Sequence, residues 1–203
     1  MNWKEDFTVF DTETTGLGDE ARILEIGLVR FVSRKVAMRL QFRVDPGPIN
    51  WDDPQVQRAV EVNGIRKLDV QGLPTFAHIH IMLAQLLHLK VWVAHNMPFD
   101  QRMLEQSWPT ESLPAPLLKV DTMICDFAVR PSGNSRRLKS LCESWGVENE
   151  NPHAGLADAE ATGQVLIRLM DKLPDKAYKM QEFMKEGIRK WRDEVRGYYR
   201  EDF

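Results

Sequence analysis

The sequence predicts a mixed α/β domain followed by one amphipathic helix. Three observations predict it. Three apolar, strand-like segments with short links fill the first 44 residues. After them, segments of helical period alternate with short apolar strands, the pattern of an α/β sheet. Then Pro174 breaks the chain, and beyond it Ala177, Met180, Met184, Ile188, Trp191, Val195 and Tyr198 recur three or four apart.

The elements follow in order. Phe7–Phe10 reads as a strand, "RILEIGLVRF" (Arg22–Phe31) as a second and "AMRLQFRV" (Ala37–Val44) as a third. Their short links suggest an antiparallel meander. Asp45-Pro46-Gly47-Pro48 ends it with strong turn chemistry. Asp53-Pro54 can start a short helix through Val60. Pro74–Leu89 carries Phe76, Ile79, Leu83, Leu86 and Leu87 at helical spacing. Val91–Asn96 reads as a buried strand, Phe99–Gln106 as a helix and Leu117–Val120 as a strand. Arg136–Trp145 reads as a helix ended by Gly146, and His153–Leu173 as a long helix. The domain is therefore expected over residues 1–173. Residues 174–203 are expected as an amphipathic helical appendage with charge on its other side.

Composition narrows the classes. The chain has 203 residues, 43% hydrophobic and 28% charged, which argues against disorder. A net charge of −3 excludes a global basic field for long nucleic-acid tracts. A short nucleic-acid end or a small acidic ligand stays open. Cys125 and Cys142 form no metal-spaced set and read as reduced thiols. The first residues are charged and lack an apolar leader core. No uncharged run approaches the roughly 18 residues that a membrane span needs. The expectation is a soluble, cytoplasmic protein with no membrane partner.

"FDTETTGL" (Phe10–Leu17) poses the functional question. Asp11 and Glu13 are two apart on a strand, so they share one face near the core. Buried carboxylates are costly unless something positive binds them. Asp100 follows a strand at the start of a helix, and Asp158 lies five residues after His153. Strand ends and helix starts meet at one edge of such sheets, so these distant acids can converge. Each also has a plainer reading. Asp100 can be a first-turn acid favoured by the helix dipole, Asp158 a solvated helix residue, and His153 an ordinary residue before a helix. Asp121 reads best as a cap for the helix that follows it.

The segments "FDTETTGL", "AHNMPFD" (Ala94–Asp100) and "HAGLADA" (His153–Ala159) together resemble the three motifs of the DEDD exonuclease family. They look like its histidine-bearing, DnaQ-like branch, which includes the proofreading subunit of bacterial replicative polymerases. The resemblance covers about residues 7–172. It implies a ribonuclease-H-like fold with a central mixed sheet and helices on both faces. It also implies that Asp11, Glu13, Asp100 and Asp158 hold metal and that His153 is the general base. Two Mg²⁺ ions are implied, with Mn²⁺ as a substitute. Oxygen-rich sites suit Mg²⁺, and two metals about 3.5–4 Å apart can clamp the attacking and leaving oxygens. Histidine can take a proton near neutral pH. Thr14, Gly16 and Leu17 in the first motif, and Asn96 and Phe99 in the second, are implied substrate contacts. "VNGI" (Val62–Ile65) resembles a pocket loop of the family, which makes Asn63 and Ile65 contacts as well. The family often has His where Asn63 stands. Arg136, Arg137 and Lys139 can meet phosphates or form a solvated face.

The function implied is 3′→5′ exonuclease action on single-stranded DNA, releasing 5′-mononucleotides. RNA 3′-end trimming is one alternative. Another is an interaction subunit of a polymerase or repair complex that retains nuclease activity. The partner expected is a single-stranded 3′ end, with a polymerase or a second copy meeting the C-terminal helix.

Overall fold

The computed structural model describes residues 2–109, 113–131 and 135–194. A mixed sheet has the order β3-β2-β1-β4-β5. Its strands are β1 (Asp6–Thr14), β2 (Ile23–Val32), β3 (Lys35–Arg43), β4 (Val91–Ala94) and β5 (Leu118–Asp121). The first three form the expected antiparallel meander, and β4 and β5 add in parallel on the other side of β1. Ser33 and Arg34 both take positive φ between the paired Val32 and Lys35. That is the backbone of a type I′ turn, which matches the twist of a hairpin.

The helices are α1 (Pro54–Asn63), α2 (Lys67–Val70), α3 (Phe76–Leu87), α4 (Met97–Ser107), α5 (Thr122–Val129), α6 (Leu138–Trp145), α7 (Gly155–Leu169) and α8 (Ala177–Glu194). They cover both faces of the sheet. Phe7, Val9, Val29 and Phe31 pack with α5, α6, α7 and α8. Phe10, Ile26, Leu28 and Trp92 pack with α3 and α4. Strand alternation therefore carries Asp11 and Glu13 on the α7 face, in the row begun by Phe7 and Val9.

Two local features set the site. A register shift after Glu13 leaves Leu24 as the extra residue of β2. Leu24 is fully buried with Ile65 and Val70 in a small satellite core. Each such burial is worth about 1.5–3 kcal/mol, and this core fixes the 62–65 loop beside the end of β1. The second feature is a close approach. A Cβ on Gly27 would lie 2.1 Å from the backbone of Gly155, so only glycine lets α7 start this near to β2.

The segment after Pro174 shares the main core. Met180 and Met184 are buried there, and Gly187 lies so close to Ile124 that a Cβ would meet its side chain at 2.6 Å. Trp191 meets Phe127 edge-on at 5.0 Å. The N-terminus holds the connection in place. Trp3 Nε1 donates to the Pro174 carbonyl at 3.0 Å. The buried Lys4 Nζ donates to the carbonyls of Met170 and Leu173 and to the Asp175 carboxylate, at 2.6–2.7 Å. Val195 and Tyr198 of the expected helix lie outside the described residues.

The sequence reading differs from the structure in places. The sequence shows no end for α5 after its cap at Asp121, because eight mostly apolar residues carry too short a period to separate helix from strand. The helix expected from Arg136 starts at Leu138, because Arg136 turns inward to the buried Asp126 carboxylate. The helix expected from His153 starts at Gly155, because His153 has φ 65°. Among the described residues, no helix is long and apolar enough to cross a membrane.

Candidate metal centre and cleft

Asp11, Glu13 and Asp158 each offer a carboxylate oxygen within 4.8 Å of the others. The first two come from β1, and Asp158 comes from the first turn of α7. Asp158 depends on several local contacts. Its backbone N–H donates to the Ala154 carbonyl at 3.0 Å. Asn149 Nδ2 donates to its Oδ1 at 2.5 Å, and the His153 N–H donates to its Oδ2 at 3.1 Å.

Asp100 reaches the same region from α4 but stands outside that trio. Its Oδ1 accepts from both the Thr12 N–H and the Thr12 hydroxyl, each at 2.8 Å. Thr12 points to the face opposite Asp11, so it draws this oxygen to the far side of the strand. Asp100 is still near enough to raise the pKa of Asp11. Asp121 is the cap expected for α5, accepting from the Met123 N–H. It also accepts from the N–H groups of Asn96 and Met97, so it ties the start of α4 to β5.

The electrostatics are those of carboxylates gathered close together. Burial, then Asp100, Glu13, Asp158 and Glu25, push Asp11 well above the usual carboxylate range. Burial and its acidic neighbours raise Glu13 to about 8, against a hydrogen bond from Asn63. Asp100 is raised to about 7, chiefly by burial, with the Thr12 bonds opposing. Burial also raises Asp158, opposed by Asn149 and His153. Hard oxygen donors that repel one another when ionised fit a divalent cation.

Beside the trio lies a cleft of about 300 Å³, lined by Glu25, Arg43, Asn63, Ile65 and His153 among others. His153 is exposed at its wall and takes a left-handed backbone. A non-glycine residue held so costs about 1–3 kcal/mol, and such strain gathers at functional sites. Asn63 bridges the loop to the strand. Its Nδ2 donates to the Thr14 carbonyl at 3.1 Å, and its Oδ1 accepts from the Ile65 N–H at 3.0 Å.

The other expected contacts are placed unevenly. The Thr14 hydroxyl donates to the Gly16 carbonyl at 2.7 Å, and a Cβ on Gly16 would meet nothing within 4 Å. Leu17 is 50% exposed, so it is not core packing. Arg102 donates to its carbonyl and lies over the half-buried Phe99 ring, joining the two. Ile65 is 1% exposed, so its side chain anchors the segment to the satellite core while the residue borders the cleft. Asn96 takes φ 68° at the start of α4, a conformation asparagine tolerates. The Arg136 side chain is 8% exposed and turned to Asp126, whereas Arg137 and Lys139 are exposed.

Sequence reasoning missed Thr12, Glu25 and Asn149. Glu25 had a readable signal: like Asp11, it interrupts an apolar strand. It is 1% exposed, accepts from the Gly155 N–H at 3.1 Å and pairs with Arg43 at 2.8 Å. His95, in the second motif, is half-buried, and its desolvation lowers its pKa to about 4. Its ring is within hydrogen-bonding distance of the Thr122 hydroxyl (3.0 Å) and the Arg136 carbonyl (2.7 Å), so it organises structure.

Comparison with known proteins places this geometry in context. A family model described as RNase_T, exonuclease, matches residues 8–166. A PolC-type DNA polymerase III of Halalkalibacterium halodurans is 29% identical over 167 residues, 81% of this chain and 11% of the polymerase. A DNA polymerase III subunit epsilon-like protein of Rhodobacter capsulatus is 32% identical over 178 residues, 84% of this chain and 24% of the relative. The 3′-5′ exonuclease DinG of Bacillus subtilis is 26% identical over 179 residues, 86% of this chain and 19% of DinG. The chain thus spans a quarter or less of the length of these relatives. Among solved structures, Exonuclease X in complex with 5′-overhanging duplex DNA superposes with a TM-score of 0.68 at 23% identity. It covers 88% of this chain and 99% of that one. The zinc-bound form of an E. coli ExoI–ssDNA complex superposes with a TM-score of 0.65 at 19% identity, covering 93% and 43%. Both likenesses support the ribonuclease-H-like fold.

Proposed function

The chain belongs to the RNase_T exonuclease family, and we propose that it removes 5′-mononucleotides from the 3′ end of single-stranded DNA. The observation that carries this reading is the convergence of Asp11, Glu13 and Asp158 within 4.8 Å, beside a cleft that His153 borders.

Asp11, Glu13 and Asp158 would hold divalent cations, Mg²⁺ or Mn²⁺, with Asp100 completing the acidic set. Bound there, the cations would offset the mutual repulsion of the carboxylates and polarise the scissile phosphate. His153 takes the proton of the attacking water. The water oxygen bonds to phosphorus, the P–O3′ bond breaks, and the 3′ oxygen of the shortened strand takes a proton from solvent to leave as a free hydroxyl. The left-handed backbone of His153 carries its ring on a turn outside α7, at the wall of the cleft. Asn63 and the buried Ile65 also line the cleft. Leu17 and Phe99, joined through Arg102, offer an apolar surface for the terminal base.

DNA is favoured because the relatives' names include DNA polymerases and the neighbouring structures hold DNA. The C-terminal helix is an appendage to domain 1–173 in sequence, yet it spends buried methionines on that domain. A polymerase or second copy would therefore meet its outer side. The test pairs wild type with Asp11→Asn on matched DNA and RNA oligomers, in Mg²⁺, Mn²⁺ and EDTA. The reading requires metal-dependent trimming of DNA by wild type alone. Faster trimming of RNA would replace the substrate, and equal activity of both proteins would end the reading.

A further inference from the structure

We infer that Glu25 is a positioning residue for the metal centre: it caps α7 from the neighbouring strand and so fixes Asp158 against Asp11 and Glu13. The inference rests on the function proposed above. Four observations carry it.

First, α7 lacks a cap of its own. The residue before it is Ala154, which has no side chain able to accept from the first N–H groups. Those groups need partners, and an anion there is favoured by the helix dipole. Glu25 Oε1 supplies the partner, accepting from the Gly155 N–H at 3.1 Å in a buried setting.

Second, the helix start touches the sheet directly. Gly27, two residues along β2 from Glu25, leaves no room for a Cβ against Gly155. The cap and this contact hold the same helix residue from the same strand. Third, Asp158 hangs from that start, through its N–H to the Ala154 carbonyl. A first turn that frays moves the Asp158 carboxylate. Fourth, Glu25 is itself held. Arg43, opposite it on β3, donates Nε to Glu25 Oε2 at 2.8 Å. A buried carboxylate with one oxygen on Arg43 and the other on a backbone N–H has both oxygens engaged. Glu25 therefore serves as a support and Asp11, Glu13 and Asp158 as the ligand set.

Charge and position can be separated by charge-matched variants. Glu25→Gln/Arg43→Gln removes one charge of each sign but keeps an oxygen for the Gly155 N–H. Glu25→Ala/Arg43→Gln has the same charge and no acceptor. Glu25→Asp keeps the charge and withdraws the carboxylate by one methylene. Mn²⁺ affinity is measured by titration calorimetry on the full chain, with thermal melts to confirm folding. The Gln/Gln protein should bind Mn²⁺ within about threefold of wild type. The Ala/Gln and Asp proteins should bind about 10–100-fold more weakly, the usual cost of losing a support behind a metal ligand. Wild-type affinity in the Glu25→Asp protein, or equal losses in the two double variants, would overturn the inference. Should Ala/Gln fail to fold, Glu25→Asp and Gln/Gln decide it in the same way. Wild type that takes up no Mn²⁺ would overturn the proposed function itself, a result distinct from either.

Discussion

Glu13 on β1 stands directly opposite Glu25 on β2 in the antiparallel ladder. Like charges so placed destabilise a sheet. The two glutamates resolve the conflict differently. Glu25 is paired with Arg43, opposite it on β3. Among the described residues Glu13 has no such cation, and it is driven to about 8 by burial, Asp158, Glu25 and Asp100. The row Glu13–Glu25–Arg43 therefore ends in a carboxylate that a divalent cation would satisfy.

A pH dependence of stability follows. A carboxyl whose folded pKa is raised contributes stability below its unfolded pKa, and that stability is lost as pH rises through the folded value. For Glu13 the window runs from about 4.5 to about 8. His95, held near 4 by burial, acts with the opposite sign in the lower part of this range, so a difference measurement is needed. In EDTA, the melting temperature of wild type minus that of Glu13→Gln should fall across the window. Millimolar Mg²⁺ should abolish the fall. A flat difference in EDTA would remove the electrostatic argument for the centre.

Thr12→Val should slow cleavage about 10–100-fold, because a hydrogen bond to a charged group is worth about 1.5–3 kcal/mol. The loss of the hydroxyl removes one of the two bonds that oppose the rise in the Asp100 pKa. The rate profile should therefore also move to higher pH. Single-turnover rates from pH 6 to 9 check both effects, and an unshifted profile would free Asp100 from any role in the rate.

His153→Gln should lose about 10²–10⁴-fold in rate, the usual share of a general base. It should keep Mn²⁺ affinity, because its backbone N–H, not its ring, bonds Asp158. Calorimetry and single-turnover kinetics on one preparation separate the two. A parallel loss of affinity and rate would make His153 a structural residue.

Ending the chain after Leu173 should cost stability before chemistry. The removed segment buries Met180 and Met184, each worth about 1.5–3 kcal/mol, and covers Ile124 and Phe127. It also strips Lys4 of its Asp175 partner. The truncated protein should melt well below the full chain yet keep its rate at temperatures where it is folded. Equal melting temperatures would show that the helix docks too weakly to matter.

Much of this was legible in the sequence because the signals are periodic. Phe7 and Val9 fix a face by alternation, and Asp11 and Glu13 continue it. The antiparallel meander and the alternation of helix and strand after it were readable for the same reason. What stayed hidden was pairing across the chain. Nothing local tells that Glu25 caps a helix 130 residues away, that Thr12 holds one oxygen of Asp100, or that Arg136 serves Asp126. The likeness of Val62–Ile65 to a pocket loop did not tell that the register shift at Leu24 also gives the Ile65 side chain a core to enter.

The central claim is tested most directly by the products from 5′-labelled single-stranded DNA over time, with Mg²⁺ and with EDTA. The account predicts a ladder that shortens one nucleotide at a time from the 3′ end in Mg²⁺, and intact DNA in EDTA. Internal cuts, shortening from the 5′ end, or cleavage undiminished in EDTA would contradict it.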